Sequence, residues 1–244
     1  MSTGGAKAIM RAQASMSRSP SDWYRLAMAS SVLSDPDQAP NALAEKVLSF
    51  WFGELDEHGH AHPSQAKRWF TKDSDFDREI HEQFEAIHRS IADGRCEDWL
   101  ETPRGRLAYV IVLDQLSRNM FRGTPEMFAH DARALRAALE GVDRDDDQKL
   151  GIDERAFFYM PLMHSEDRAV QDRSVALFEK MRDAVVETAV QPERRERYAG
   201  NVRYAEQHRE IIKRFGRFPH RNSILDRTST PEEVEFLTEP NSAF

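Results

Sequence analysis

The segment TPRGRLAYVIVLDQLSRNMFRGTPEMF, Thr102 to Phe128, decides the fold. It opens on Thr-Pro: a hydroxyl N-cap, then the residue whose fixed φ and missing N–H suit the first helical position. The run Leu107 to Leu113 that follows is apolar on every side, so the helix carrying it has to be central. Thr124-Pro125 repeats the start signal, and Thr230-Pro231 repeats it again with Glu233 placed to complete a capping box.

Outward from this segment the punctuation stays helical. Asn41 is expected to cap a helix running to Phe52 and stopped by Gly53. The loop Gly53 to Ser64 carries His58, His60 and His62, which read as exposed. Phe76, Ile80, Phe84, Ile87 and Ile91 recur at helical spacing between Ser74 and Gly94, with His81 and His88 on the outer surface. The helix carrying Met127, Phe128, Leu135 and Leu139 is expected to end at Gly141. Asp143 to Asp147 reads as a solvated acidic turn. A further helix from about Asp153 should close at Met160-Pro161, since Pro disfavours helical geometry in the residue before it. Ser165 is expected to start the next, with Val170, Leu177, Phe178, Met181 and Val185 facing inward. The last long helix runs from Pro192 to Phe215, with Gly216 as its stop. No strand pattern occurs. The expected fold class is all-α: one helical domain over 41–244 behind a disordered leader and linker over 1–40.

Composition narrows the function. The chain of 244 residues is 40% hydrophobic and 31% charged with a net charge of -8, as for a soluble globular protein. No apolar run approaches the roughly 20 residues a bilayer span needs. The pI of about 5.6 argues against nucleic acid and anionic membranes as partners. Cys96 stands alone, which excludes an internal disulfide framework and suits a reducing compartment, so a cytoplasmic location is expected. The first forty residues are rich in Ser, Ala and Gly, with no acid before Asp22. They read as a bacterial leader or a misplaced start, with mitochondrial import as the alternative in a eukaryote.

Against this acidic background KRFGRFPHRNSILDR, Lys213 to Arg227, is a dense basic and aromatic elbow. It also has an echo. RNMFRGTPEMF (Arg118 to Phe128) and RNSILDRTSTPEEVEF (Arg221 to Phe236) both read Arg-Asn, an apolar stretch, Arg, then a Thr-Pro-Glu helix start and a Phe. Both follow a long helix. Asn119 and Asn222 suit turn formation through side-chain bonds to backbone. The arginines either converge on an anion, for which a guanidinium fork is well shaped, or pair with structural carboxylates such as Asp114, Asp131, Glu166 and Asp167.

The blocks LDQLSRNMFRGTPEMFAHDARAL, FFYMPLMHSEDRAVQDRSVALF and HREIIKRFGRFPHRNSILDRTSTPEEVEFL resemble the signature blocks of the bacterial domain-of-unknown-function family 924. The resemblance spans about Leu43 to Phe244. It implies a tetratricopeptide-like α-helical array and no established reaction. No tetratricopeptide consensus recurs at a regular period, so the implied repeat is one of shape.

Three further features bear on chemistry. Asp114 and Arg118 stand at i,i+4, which is an ordinary helical ion pair or, if buried, an orienting pair that needs further partners. In PLMHSED, Ser165 and the acids after it suit a helix start, while His164 is not needed for capping and sits where a general base could act. His208 lies on the inward seam of the last long helix. No nucleophile elbow, phosphate loop or compact metal-ligand spacing occurs, and neither a cofactor nor a metal is expected. The expected site is one pocket that binds a small anionic molecule. Arg118, Arg122, Arg217 and Arg221 would clamp the anion, with Asn119, Asn222 and His208 beside them. His164 would serve as acid/base, and Asp114 and Glu166 would orient it. The alternative is an interaction scaffold whose protein partner presents an acidic segment or a C-terminal carboxylate.

Overall fold

In the computed structural model, residues 39–187, 192–240 and 242 are described, and over them the chain is all-α. The leader at 1–38 and the side chains of Asn41 and Val185 lie outside the described residues. In chain order the helices are α1 (Ala39–Phe52), α2 (Pro63–Trp69), α3 (Ser74–Ala92), α4 (Pro103–Val110), α5 (Ser117–Met120), α6 (Asp131–Asp143), α7 (Ile152–Met163), α8 (Arg168–Glu187), α9 (Pro192–Phe215) and α10 (Pro231–Phe236). Between α4 and α5 the chain is π-helical over Ile111–Leu116, which makes one continuous helical rod. None of these helices is long and apolar enough to cross a membrane.

The rod is central. Its α4 and π segments are packed by α1, α3, α6 and α7, and every residue from Leu107 to Leu113 is at most 1% exposed. Thr102 caps it as expected, accepting from the Gly105 N–H at 3.1 Å. At the far end, Thr230 and Glu233 form the reciprocal capping box, and Gly216 ends α9 at a φ of 70° that favours glycine.

Several boundaries differ from expectation. α1 begins at Ala39, two residues ahead of Asn41, so the linker's last residues are helical. α2 is a short helix within what read as loop, opened by Pro63. Asp73 rather than Ser74 caps α3, accepting from two backbone N–H groups. Thr124 turns its hydroxyl to the Phe121 carbonyl, so Pro125–Phe128 is a single 3-10 turn and α6 starts afresh at Asp131. Pro161 lies inside α7, which continues until the His164 N–H closes on the Met160 carbonyl at 3.0 Å. Asp167 accepts from the Val170 N–H, which delays α8 to Arg168.

Four polar side chains expected at the surface are buried. His60 meets the Tyr198 hydroxyl at 2.6 Å, and His88 meets Ser117 Oγ at 2.8 Å. Asp146 and Asp147 leave the acidic turn for the interior, where Asp146 lies 3.3 Å from Nε of the buried Arg106 and Asp147 accepts from Tyr159.

Gly141 is not a helix stop. It sits inside α6, where an added Cβ would lie 2.5 Å from both Arg106 Cδ and Phe158 Cζ. Helix propensity alone favours Ala there by about 1 kcal/mol. The overlap with a buried ring and a fixed guanidinium stem outweighs it, so Gly141→Ala should lose about 1–3 kcal/mol in a urea titration. A stabilised variant would show that α6 and α7 are not packed this closely.

Candidate functional site

Asp114 is placed by the π-helical segment. A π turn closes i to i+5, here Ser117 N–H to the Val112 carbonyl, and so inserts one residue into the rod's register. The carboxylate that results is fully buried. Its Oδ1 lies 2.7 Å from His164 Nδ1 and 3.0 Å from Arg118 Nη1, and its Oδ2 accepts from Gln115 Nε2 at 2.6 Å. Burial opposes its ionisation, but the Arg118 guanidinium and then His164 hold it well below the usual carboxylate range.

His164 ends α7, with its side chain 16% exposed. An ionised carboxylate only accepts, so Nδ1 carries the proton and Nε2 keeps a lone pair. Burial and the neighbouring Arg118 charge lower its pKa, with Asp114 opposing. The His208 ring stands 6.2 Å away, its Nδ1 donating to the Tyr204 carbonyl at 2.7 Å, and burial takes its pKa down to about 3.

Arg118 also forks onto Asp131, the first residue of α6, with both bonds at 2.9 Å. Arg221 reaches the same carboxylate from the C-terminal elbow, with Nη1 3.5 Å from Asp131 Oδ2 and Nη2 donating to the His164 carbonyl at 3.0 Å. Its guanidinium lies over the rings of Phe128 and Phe218, at 4.7 and 4.5 Å, and its buried Nε has no hydrogen-bond partner. Burial, then the charge of Arg118, pushes its pKa down to about 10.

The two corners therefore meet, but through their first arginines only. Arg118, Arg221, Asp114, His164 and His208 share one cluster. Asn119 and Arg122 instead share Asp77 on α3, each at 2.7 Å. Arg217 forks onto Glu233, and Asn222 bonds Ser229, Glu233 and Arg227. Glu166 does not orient His164: it accepts from Arg227 and from the Phe218 N–H, fastening the elbow to the start of α8. Each of these groups has an opposite partner nearer than the cluster, which is why the wider convergence fails. With Glu166 engaged, the two imidazoles lack a third ligand, and among the described residues no three such side chains gather to hold a metal ion.

Sequence reasoning missed the aromatic slot of Phe128 and Phe218 and the sharing of Asp131 between two arginines. Phe128 closes the first echoed corner and Phe218 stands in the basic and aromatic elbow just ahead of the second, the signals that could have marked them. A separate cavity of about 170 Å³, lined by Leu48, Phe52, Leu55, Arg104 and Glu154 among others, shares no residue with the cluster.

Residues 47–241 match the family described as "Bacterial protein of unknown function (DUF924)". Among solved structures the chain is similar to a protein of unknown function from Agrobacterium tumefaciens. The two are 37% identical with a TM-score of 0.67, over 81% of this chain and 98% of that one. None of the curated proteins matches it.

The buried imidazoles predict acid sensitivity. Burial holds His88 at about 4 and His208 at about 3, against 6.5 for an unperturbed imidazole. Below 6.5 the unfolded chain binds protons that the native state refuses, so stability is complete above that pH and falls as pH drops towards 4. Between pH 7.5 and pH 5 each should remove roughly 1–2 kcal/mol, read as a lower urea midpoint. His88→Gln should shrink the loss, and an unchanged loss in that variant would contradict the assignment.

Proposed function

Because the chain belongs to this bacterial family of unknown function, whose name supplies no reaction, we propose a function from the site itself: binding of a small anionic molecule at Arg118 and Arg221, beside His164. The observation that carries this reading is the state of Arg221. Arg122, Arg217 and Arg227 each make two short bonds to a carboxylate. Arg221 has one long contact, at 3.5 Å, to a carboxylate already forked by Arg118, and its Nε has no hydrogen-bond partner. The buried Nε atoms of Arg106 and Arg209 also lack hydrogen bonds, but each faces a carboxylate, at 3.3 and 3.7 Å.

Arg221 Nη2 has the His164 carbonyl, but a buried Nε–H without an acceptor is costly, on the order of 1–3 kcal/mol for the unmade bond. Packing against two rings recovers part of this and does not replace an acceptor. An incoming carboxylate, phosphate or sulfate oxygen does replace it. With Nη1 and Nη2 already engaged, Nε is the donor left for one oxygen of such a group, and the rings of Phe128 and Phe218 pack against the guanidinium.

The neighbouring Asp114–His164 pair adds acid/base capacity. Asp114 orients the ring and fixes the tautomer, and Nε2 is left as the proton acceptor for a bound molecule. Asp114 here is a positioning residue. The π turn that presents it is a device frequent at functional sites.

The test is differential scanning fluorimetry with acetate, succinate, phosphate and sulfate, alongside native mass spectrometry of freshly purified protein. A saturating anion should raise the melting temperature by roughly 5–10 °C at a hundred times its Kd. Arg221→Met, which keeps an apolar stem of similar length and removes the guanidinium, should lose that shift. Arg122→Met, outside the cluster, should keep it. If no anion moves the wild type, or Arg221→Met retains the full shift, the reading is wrong.

A further inference from the structure

The charges of the cluster balance without a ligand. Arg118 and Arg221 contribute two positive charges, Asp114 and Asp131 two negative ones, and the His164 ring is neutral. What Arg221 lacks is an acceptor for Nε rather than a counter-charge. An anion that supplies the acceptor therefore leaves the enclosed site one negative charge in excess, in a place where uncompensated charge is expensive.

We infer that the anion enters together with a proton, and that His164 Nε2 receives it. This rests on the anion-binding reading above. The proton comes from solvent: a bound anion and an imidazolium replace a free anion and a neutral ring, so the site takes up the equivalent of the undissociated acid.

The groups facing the ring leave His164 as the acceptor. Asp114 lies 2.7 Å from Nδ1, and that bond is retained and strengthened when the ring is charged. Arg118 and Arg221 are already protonated, and their positive charge is what the bound anion offsets. Asp131 is held by the Arg118 fork. His208, 5% exposed, bonds the neutral Tyr204 carbonyl through Nδ1, where His164 bonds a carboxylate, and Arg221 disfavours a charge on both His208 and His220. His164 is in addition the C-cap of α7, where the helix dipole favours a positive charge.

Acetate is the probe, because it carries a single negative charge and does not titrate near neutrality. Its affinity for the wild type should fall about tenfold per unit between pH 7.5 and 8.5, one proton being bound with each anion. At pH 7.5 the ring proton resonance of His164 should move from its neutral to its imidazolium position as acetate is added. His164→Gln should bind acetate with a flat pH profile. A flat profile in the wild type with binding still lost in Arg221→Met would overturn this inference and leave anion binding intact. A slope that persists in His164→Gln would place the proton elsewhere and overturn it too. Should that variant not fold, the wild-type slope and resonance decide alone. Absence of acetate binding at every pH, with no sulfate response either, would remove both.

Discussion

A carboxylate with no exposed surface has to complete its hydrogen bonds inside the protein, and Asp114 is that group here. Its acceptors need donors from three directions. Gln115 supplies one from the same π turn, Arg118 one from the next turn, and His164 one from the end of α7. Arg118 then commits Asp131, which fixes where α6 begins, and the His164 carbonyl gives Arg221 a place to dock. One buried charge thus ties the central rod to α6, α7 and the C-terminal elbow. Stability does not demand such an arrangement, because well-packed apolar groups of similar volume often serve as well. Its presence is more readily explained by what it holds in place.

The paired corners show how similar sequences acquire different roles. Arg118 and Arg221 occupy matching positions, and both reach Asp131. The following Asn and Arg also match, but Asn119 and Arg122 turn to Asp77 on α3, while Arg227 donates to Asn222 and Glu166 and Asn222 donates to Glu233. The outer pairs are partly exposed and contribute modestly, as surface ion pairs do. They act as fasteners that hold each corner at its angle. The inner arginines meet where water is scarce, so the same side chain has larger electrostatic consequences there.

Much of the fold was legible because helix starts are local chemistry. Thr102 with Pro103, Thr230 with Glu233, and Gly216 each signal through their own backbone, and each does as expected. The errors fall where distant packing overrides a local preference. Gly141 reads as a stop until Phe158 and Arg106 press on it, Asp146 reads as solvated until Arg106 draws it inward, and Pro161 reads as a break although the last turn of α7 tolerates it. Within the candidate site, Asp114, Arg118 and His164 were readable as chemistry-bearing types in an apolar setting. The π turn was not, since no residue in IVLDQL prescribes an extra residue per turn. Nor could spacing tell which arginine would find its own carboxylate, because that depends on α3, α8 and α10 arriving beside it.

A second buried network clarifies what distinguishes the first. Around α9, His60 meets Tyr198, Tyr198 donates to Asp153 at 2.8 Å, and Arg197 bonds both Tyr198 and Asp153, whose other oxygen accepts from the Ala61 N–H at 2.8 Å. The residue types are nearly those of the Asp114 cluster: an imidazole, a carboxylate and a guanidinium. Here, however, the bonds close among the members themselves, with the carboxylate accepting on both oxygens, and the result clasps the loop after α1 to α9. That is the behaviour of architecture. The Asp114 cluster closes around its carboxylate and then leaves Arg221 Nε without an acceptor, while Nη2 docks on the His164 carbonyl. If that donor is kept for a ligand, as proposed above, an acid supplies both the oxygen it needs and the proton.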